Sequence, residues 1–189
     1  MTPAPAPLYA ARRRFGPDAG DRWARYVAWS RLPQLREVVS LDGMLCPALP
    51  ESLIDADWEY NVHADYLTTY FRSLDYLRRR VGEEDGVNIL GVMRNPSDAE
   101  LARVSLPGFE LAGFDVVDVH GDVSALTNCG GFDDVFLPAE LNAVGLLTGM
   151  ARAGTVRRQL RERHGSERHA ECDVWAIWRL DGGAGPASQ

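Results

Sequence analysis

The residues best suited to do chemistry are the three cysteines and four histidines, and Cys129 stands in the most suggestive string, Thr127-Asn128-Cys129-Gly130-Gly131-Phe132. A thiol flanked by Asn128, Gly130 and Gly131 sits where backbone N–H groups can converge as an oxyanion hole or anion nest. With an imidazole beside it, His120 being the first choice and His63, His164 and His169 the others, Cys129 would be a nucleophile for hydrolysis or acyl transfer. The plainer reading is a glycine-rich turn whose small thiol packs well. No cysteine-hydrolase signature accompanies the string.

His169 and Cys172 form an H-x-x-C pair that Cys129 or Cys46 could complete as a zinc site. Structural zinc sites usually show two close ligand pairs, and only this one is visible, so neither metal nor cofactor is expected. Asp118, His120 and Asp122 fall at period two, which on a continuing strand puts all three on one face, able to hold a divalent ion. The simpler expectation is the solvent face of an amphipathic strand whose Val117, Val119 and Val123 turn inward. Asp55, Asp57, Glu59 and Asp65 surround Trp58 and Tyr60. Acids with exposed aromatics suit docking to a basic protein, because aromatic anchors dominate interface energy. Core-facing rings with a solvated acidic rim are the alternative.

Several functions are excluded by composition. All 20 basic residues are arginine, so chemistry that needs an amine nucleophile or a phosphate-loop lysine is absent. A net charge of −7 argues against nucleic acid, which requires clustered positive charge. Arg78–Arg80 and the set Arg157, Arg158, Arg161 and Arg163 lie at expected helix C-termini, where they complement the helix dipole. No apolar run is long enough to span a membrane, and no secretory signal is visible at the N-terminus, so a cytoplasmic protein is expected. The sparse, odd cysteine set suits a reducing compartment.

The elements that must position these residues follow from pattern. Residues 1–18 are rich in Pro, Ala and Arg and read as a mobile tail, as do residues 181–189, leaving one domain over 19–180. Asp21 is suited to cap a helix that carries Trp23, Tyr26 and Val27 on one side and ends before Pro33. Glu37 to Leu45 reads as a strand, and Leu67, Phe71, Leu74, Leu77 and Val81 as a helix stopped by Gly82. Val87 to Met93 is a strand, Ser97-x-x-Glu100 a capping box, and Phe109 to Val119 a strand broken near Gly113. A short helix opens at Pro138, a longer one spans Met150 to Arg163, and Cys172 to Leu180 is a strand with one apolar face. This order predicts an α+β fold, a mixed or mostly antiparallel sheet of about four to six short strands with helices packed against it.

Four strings together resemble a group of small uncharacterised bacterial proteins: Val38 to Pro47, Thr127 to Phe132, Glu140-Leu141-Asn142 with Gly145-Leu146, and Trp175-Ala176-Ile177-Trp178-Arg179. The resemblance covers roughly residues 20–180 and brings no activity, cofactor or catalytic residue with it. Small acidic immunity proteins of contact-dependent toxin systems are similar in type only. The expected function is therefore binding of a protein partner, basic in character, in an inhibitory or immunity-like role, with the Cys129 enzyme as the alternative. Neither nucleic acid nor membrane is expected as a partner.

Overall fold

The structure, a computed structural model, describes residues 6–49, 57–62, 70–82, 84–120, 123–127, 132–167 and 170–180, with Glu59 described by its backbone only. Four antiparallel strands form one sheet: β1 (Leu8–Arg13), β2 (Val87–Arg94), β3 (Phe109–Asp118) and β4 (Cys172–Leu180), in the order β1-β2-β4-β3. With the helices α1 (Asp21–Ser30), α2 (Trp58–Asn61), α3 (Leu74–Val81), α4 (Asp98–Leu101) and α5 (Met150–Arg163), this is an α+β fold.

β4 lies between β2 and β3, so both of its faces are buried: Trp175 and Ile177 on one, Val174 and Ala176 on the other. A single apolar face was the expectation from alternation; its central place in the sheet overrides that pattern. On one side of the sheet, α5 sends Ala153, Val156 and Leu160 against Val116, Val174 and Ala176, while α3 packs Tyr76, Leu77 and Val81 with Ala11 and Ile89. The opposite face, with Ala10, Leu90, Val92, Trp175 and Ile177, is covered by Val39, Leu41, Tyr70 and Leu146 from irregular chain.

That cover corrects one expectation directly. Residues 37–45 form no strand; Val38 makes an isolated bridge to Phe15, and the backbone N–H groups of Arg36 and Val39 donate to Ala143 and Val144. Two neighbouring irregular segments thus satisfy each other's polar backbone while burying Val38, Val39 and Leu41.

A second correction concerns the N-terminus. Residues 8–13, assigned to a mobile tail, are strand β1 along the sheet edge, with Arg12 buried. Paired Ala10-Ala11 and Arg12-Arg13 carry little strand propensity and no period-two alternation, and β1 is held instead by its ladder to β2. Its outer edge is covered by isolated bridges from Tyr9 to Phe71 and from Arg12 to Ala48, which blunts it against further pairing. The expected helix through Phe71 begins only at Leu74, capped by Ser73, because Phe71 is held in its bridge to Tyr9. The capping box of α4, the break in β3 between Leu111 and Gly113, and α5 agree with expectation. Helix α1 also forms, but its N-cap is Gly20 with no side-chain cap bond, and Asp21, expected as the cap, is instead its first helical residue. Pro138 opens only a single 3-10 turn, Pro138–Glu140. Residues 181–189 lie outside the described residues.

Candidate functional site

The site grows from a buried carboxylate. Asp115 lies in β3 between Phe114 and Val116, and the strand register puts it on the irregularly covered face beside Trp175. Four donors converge on it. Oδ2 accepts from the Ser40 hydroxyl at 2.7 Å and the Leu41 N–H at 3.2 Å. Oδ1 accepts from the Ser124 hydroxyl and from the Val116 N–H at 2.8 Å. Burial nevertheless pushes the Asp115 carboxyl above the ordinary aspartate range, outweighing the hydrogen bonds from Ser124, Ser40, Leu41 and Val116 that favour its ionised form.

Each hydroxyl passes the network outward. Ser40 Oγ accepts from the Asp42 N–H at 3.0 Å, and Ser124 Oγ accepts from the Leu126 N–H at 3.1 Å. Asp42 then builds a turn of its own, its Oδ1 accepting from the Met44 and Leu45 N–H groups, both at 2.9 Å. Its Oδ2 accepts from the Ser124 N–H at 3.2 Å and the Thr127 hydroxyl at 2.8 Å. Every carboxylate oxygen here has two donors, so Asp42 and Asp115 are committed to holding three chain segments together. That leaves neither as a proton acceptor for a substrate.

Above this floor lies a cleft of about 340 Å³, lined by Tyr26 and Trp29 of α1, Asp42, Met44 and Leu45 of the turn, and Val123, Ser124 and Thr127. Its polar atoms are at the bottom and its walls are apolar. Trp29 is 57% exposed and Met44 75%, whereas most large apolar side chains are buried. The Trp29 ring and the Met44 backbone are held in place. Trp29 ends an aromatic row in which its ring lies tilted at 43° to Tyr26 at 6.1 Å and Tyr26 meets Phe15 edge-on at 5.3 Å. The Met44 turn is closed by Asp42 and by Arg22, which donates to the Met44 carbonyl at 3.0 Å. Tyr26 reaches across to donate to the Thr127 carbonyl at 3.4 Å.

Of the residues singled out for chemistry from sequence, none of the described ones lines this cleft. Cys129, Asn128, Gly130, Gly131, Asp55, Asp122, His63 and His169 lie outside the described residues. His120 is exposed in the turn after β3, and His164 pairs with Asp134 at 3.0 Å. Asp118, expected on a solvent face, is buried at the end of β3, where its backbone N–H donates to the Val123 carbonyl at 2.9 Å. Asp118 and His120 therefore share no exposed row: the strand ends between them. Trp58 is half-buried with its ring edge-on to Phe71 at 5.5 Å, so it packs on the core. Asp57 and Tyr60 are exposed, Tyr60 at 82%, and Glu59 beside them has no described side chain.

Cys46 and Cys172 are both buried, and burial pushes each thiol up to about 12. Thiols so hard to ionise are poor zinc ligands and poor nucleophiles. Among the described residues no group of three or more His, Cys, Asp or Glu side chains could hold a metal ion. No helix among them is long and apolar enough to cross a membrane.

The buried network has no fixed spacing in sequence, unlike an exposed row of acids at period two. Its signal was present in Asp115, a lone carboxylate inside the apolar run Phe114 to Val117, and in the Ser40-Leu41-Asp42 string that supplies its partners. No family model, no curated protein and no solved structure matches this chain.

Proposed function

We propose that this is a binding protein that takes a large apolar side chain of a basic protein partner into the cleft between α1 and the Asp42 turn. The observation that carries this reading is the pair Trp29 and Met44, both exposed and both lining an apolar cleft, with the Trp29 ring against Tyr26 and Met44 on a turn pinned through its backbone. Rigid aromatic and Met anchors around a pocket are what interface hot spots are made of, and a preorganised floor spares the ordering cost of binding. A cleft of this size takes one or two side chains. A net charge of −7 favours a partner whose contact segment is basic. An inhibitory or immunity-like protein works in this way, by occupying a partner's surface.

Selection of a displayed library of short peptides on the full-length protein tests the proposal. Enriched peptides should carry an aromatic or long aliphatic residue flanked by Arg or Lys, and the Trp29→Ala, Met44→Ala double variant should fail to retain them. Equal retention by the double variant, or no enrichment at all, would overturn the assignment of this cleft.

A further inference from the structure

Arg12 is the least compensated charge among the described residues. It lies on β1 facing the irregularly covered side of the sheet, the side that also carries Ala10, Leu90, Trp175 and Ile177, and is 1% exposed. Nε and both terminal nitrogens of its guanidinium are shut off from solvent with no hydrogen-bond acceptor. The buried carboxylates that might have served are taken: the oxygens of Asp115 by Ser40, Leu41, Ser124 and Val116, and those of Asp42 by Met44, Leu45, Ser124 and Thr127. Described neighbours of Arg12 include Asn88 across the ladder, Ala48 on the outer edge, the buried Cys46 thiol, which feels its charge together with those of Asp42 and Asp115, and the Tyr70 ring, whose centroid is 6.0 Å from Cζ. Tyr70 in turn stacks on Trp175 at 5.2 Å and 15°.

A guanidinium cannot discharge itself by losing its proton, so burying it demands an anion. We infer that Arg12 anchors a buried oxyanion site, taking a carboxylate or phosphate group on the two-pronged edge of its guanidinium, with Tyr70 against its face. The planar fork presents two parallel donors to such a group, a geometry that an ammonium lacks. Entry is feasible because the chain along the outer edge of β1 is joined to it by the isolated bridges at Ala48 and Phe71, not by a continuous ladder. This site is independent of the cleft, and either can fail without the other.

The test uses the full chain, titrated with acetate, with inorganic phosphate and with chloride at matched ionic strength. Two signals are followed: the melting temperature and the Arg12 Nε–Hε resonance, assigned by its absence from Arg12→Lys. Acetate or phosphate should give a saturable rise in melting temperature and a saturable shift of that resonance, and whichever arm responds names the group. Arg12→Lys should bind at least about tenfold more weakly, since it keeps the charge and loses the fork. Arg12→Met should not respond at all; should it fail to fold, the wild-type titration and Arg12→Lys suffice. If neither anion moves the resonance before chloride does, or if Arg12→Lys binds as tightly as wild type, the site is refuted.

Discussion

At the scale of single residues, Asp115 is the position on which most depends. Asp115→Ala leaves two hydroxyls and two backbone N–H groups buried without their acceptor, and we expect a loss of about 3–5 kcal/mol, measured by urea unfolding. Its pH dependence has a defined sign. Because the folded carboxyl is raised, the folded chain holds that proton more tightly than the unfolded chain does. The contribution is full below the unfolded carboxyl value of about 3.9 and is lost as pH rises through the folded one. The stability gap between wild type and Asp115→Asn should therefore narrow as pH rises across that window, and a widening gap would contradict the assignment. Glu140 acts oppositely: the hydrogen bond from Arg152 lowers its carboxyl, so its contribution fades as pH falls. Cys46 and Cys172, with thiols near 12, should resist alkylation in the native protein at pH 8 and react after unfolding, as mass spectrometry of the labelled peptides would record.

At the scale of elements, the break in β3 is what seats the 142–147 segment against the sheet. Gly113 has φ +145°, and a Cβ there would stand 2.7 Å from the Leu147 carbonyl oxygen and 2.8 Å from Leu146 Cβ, both fixed atoms. Gly113→Ala should cost about 2–3 kcal/mol in chemical denaturation. Gly91→Ala meets a flexible Leu106 methyl instead, at 2.7 Å, and should cost clearly less. Elements with their own local signals were legible: α5 by its stop at His164-Gly165, α4 by Ser97 and Glu100, the β3 break by Gly113. β1 and the 37–45 segment were not. In β1 an arginine occupies an inward position, which the period-two pattern reads as polar and outward, and tertiary pairing overrides it. In residues 37–45 the run of Val38, Val39 and Leu41 is apolar because it covers a sheet, and a covering segment and a strand leave the same trace.

At the scale of the whole molecule, an α+β sheet with helices on one face and irregular chain on the other leaves the Asp115 network on the irregular side, while the cleft is walled by Tyr26 and Leu45, which pack with the α5-side core. The candidate site was less legible than the fold for that reason. Asp42 lies 82 residues from Ser124 and 85 from Thr127, and no spacing rule joins it to them; β3 and the segments folded over it do. Trp29 and Met44 read as ordinary apolar positions until their exposure is known. The central claim is that these two side chains bind a partner and contribute little to stability. Its most direct test is the affinity of a selected peptide for Trp29→Ala, measured by calorimetry beside the variant's melting temperature. We expect Kd to rise about 30-fold, the weight of one aromatic anchor of about 2 kcal/mol, with the melting temperature essentially unchanged. An unchanged Kd, or a loss of affinity that merely follows unfolding, would contradict it.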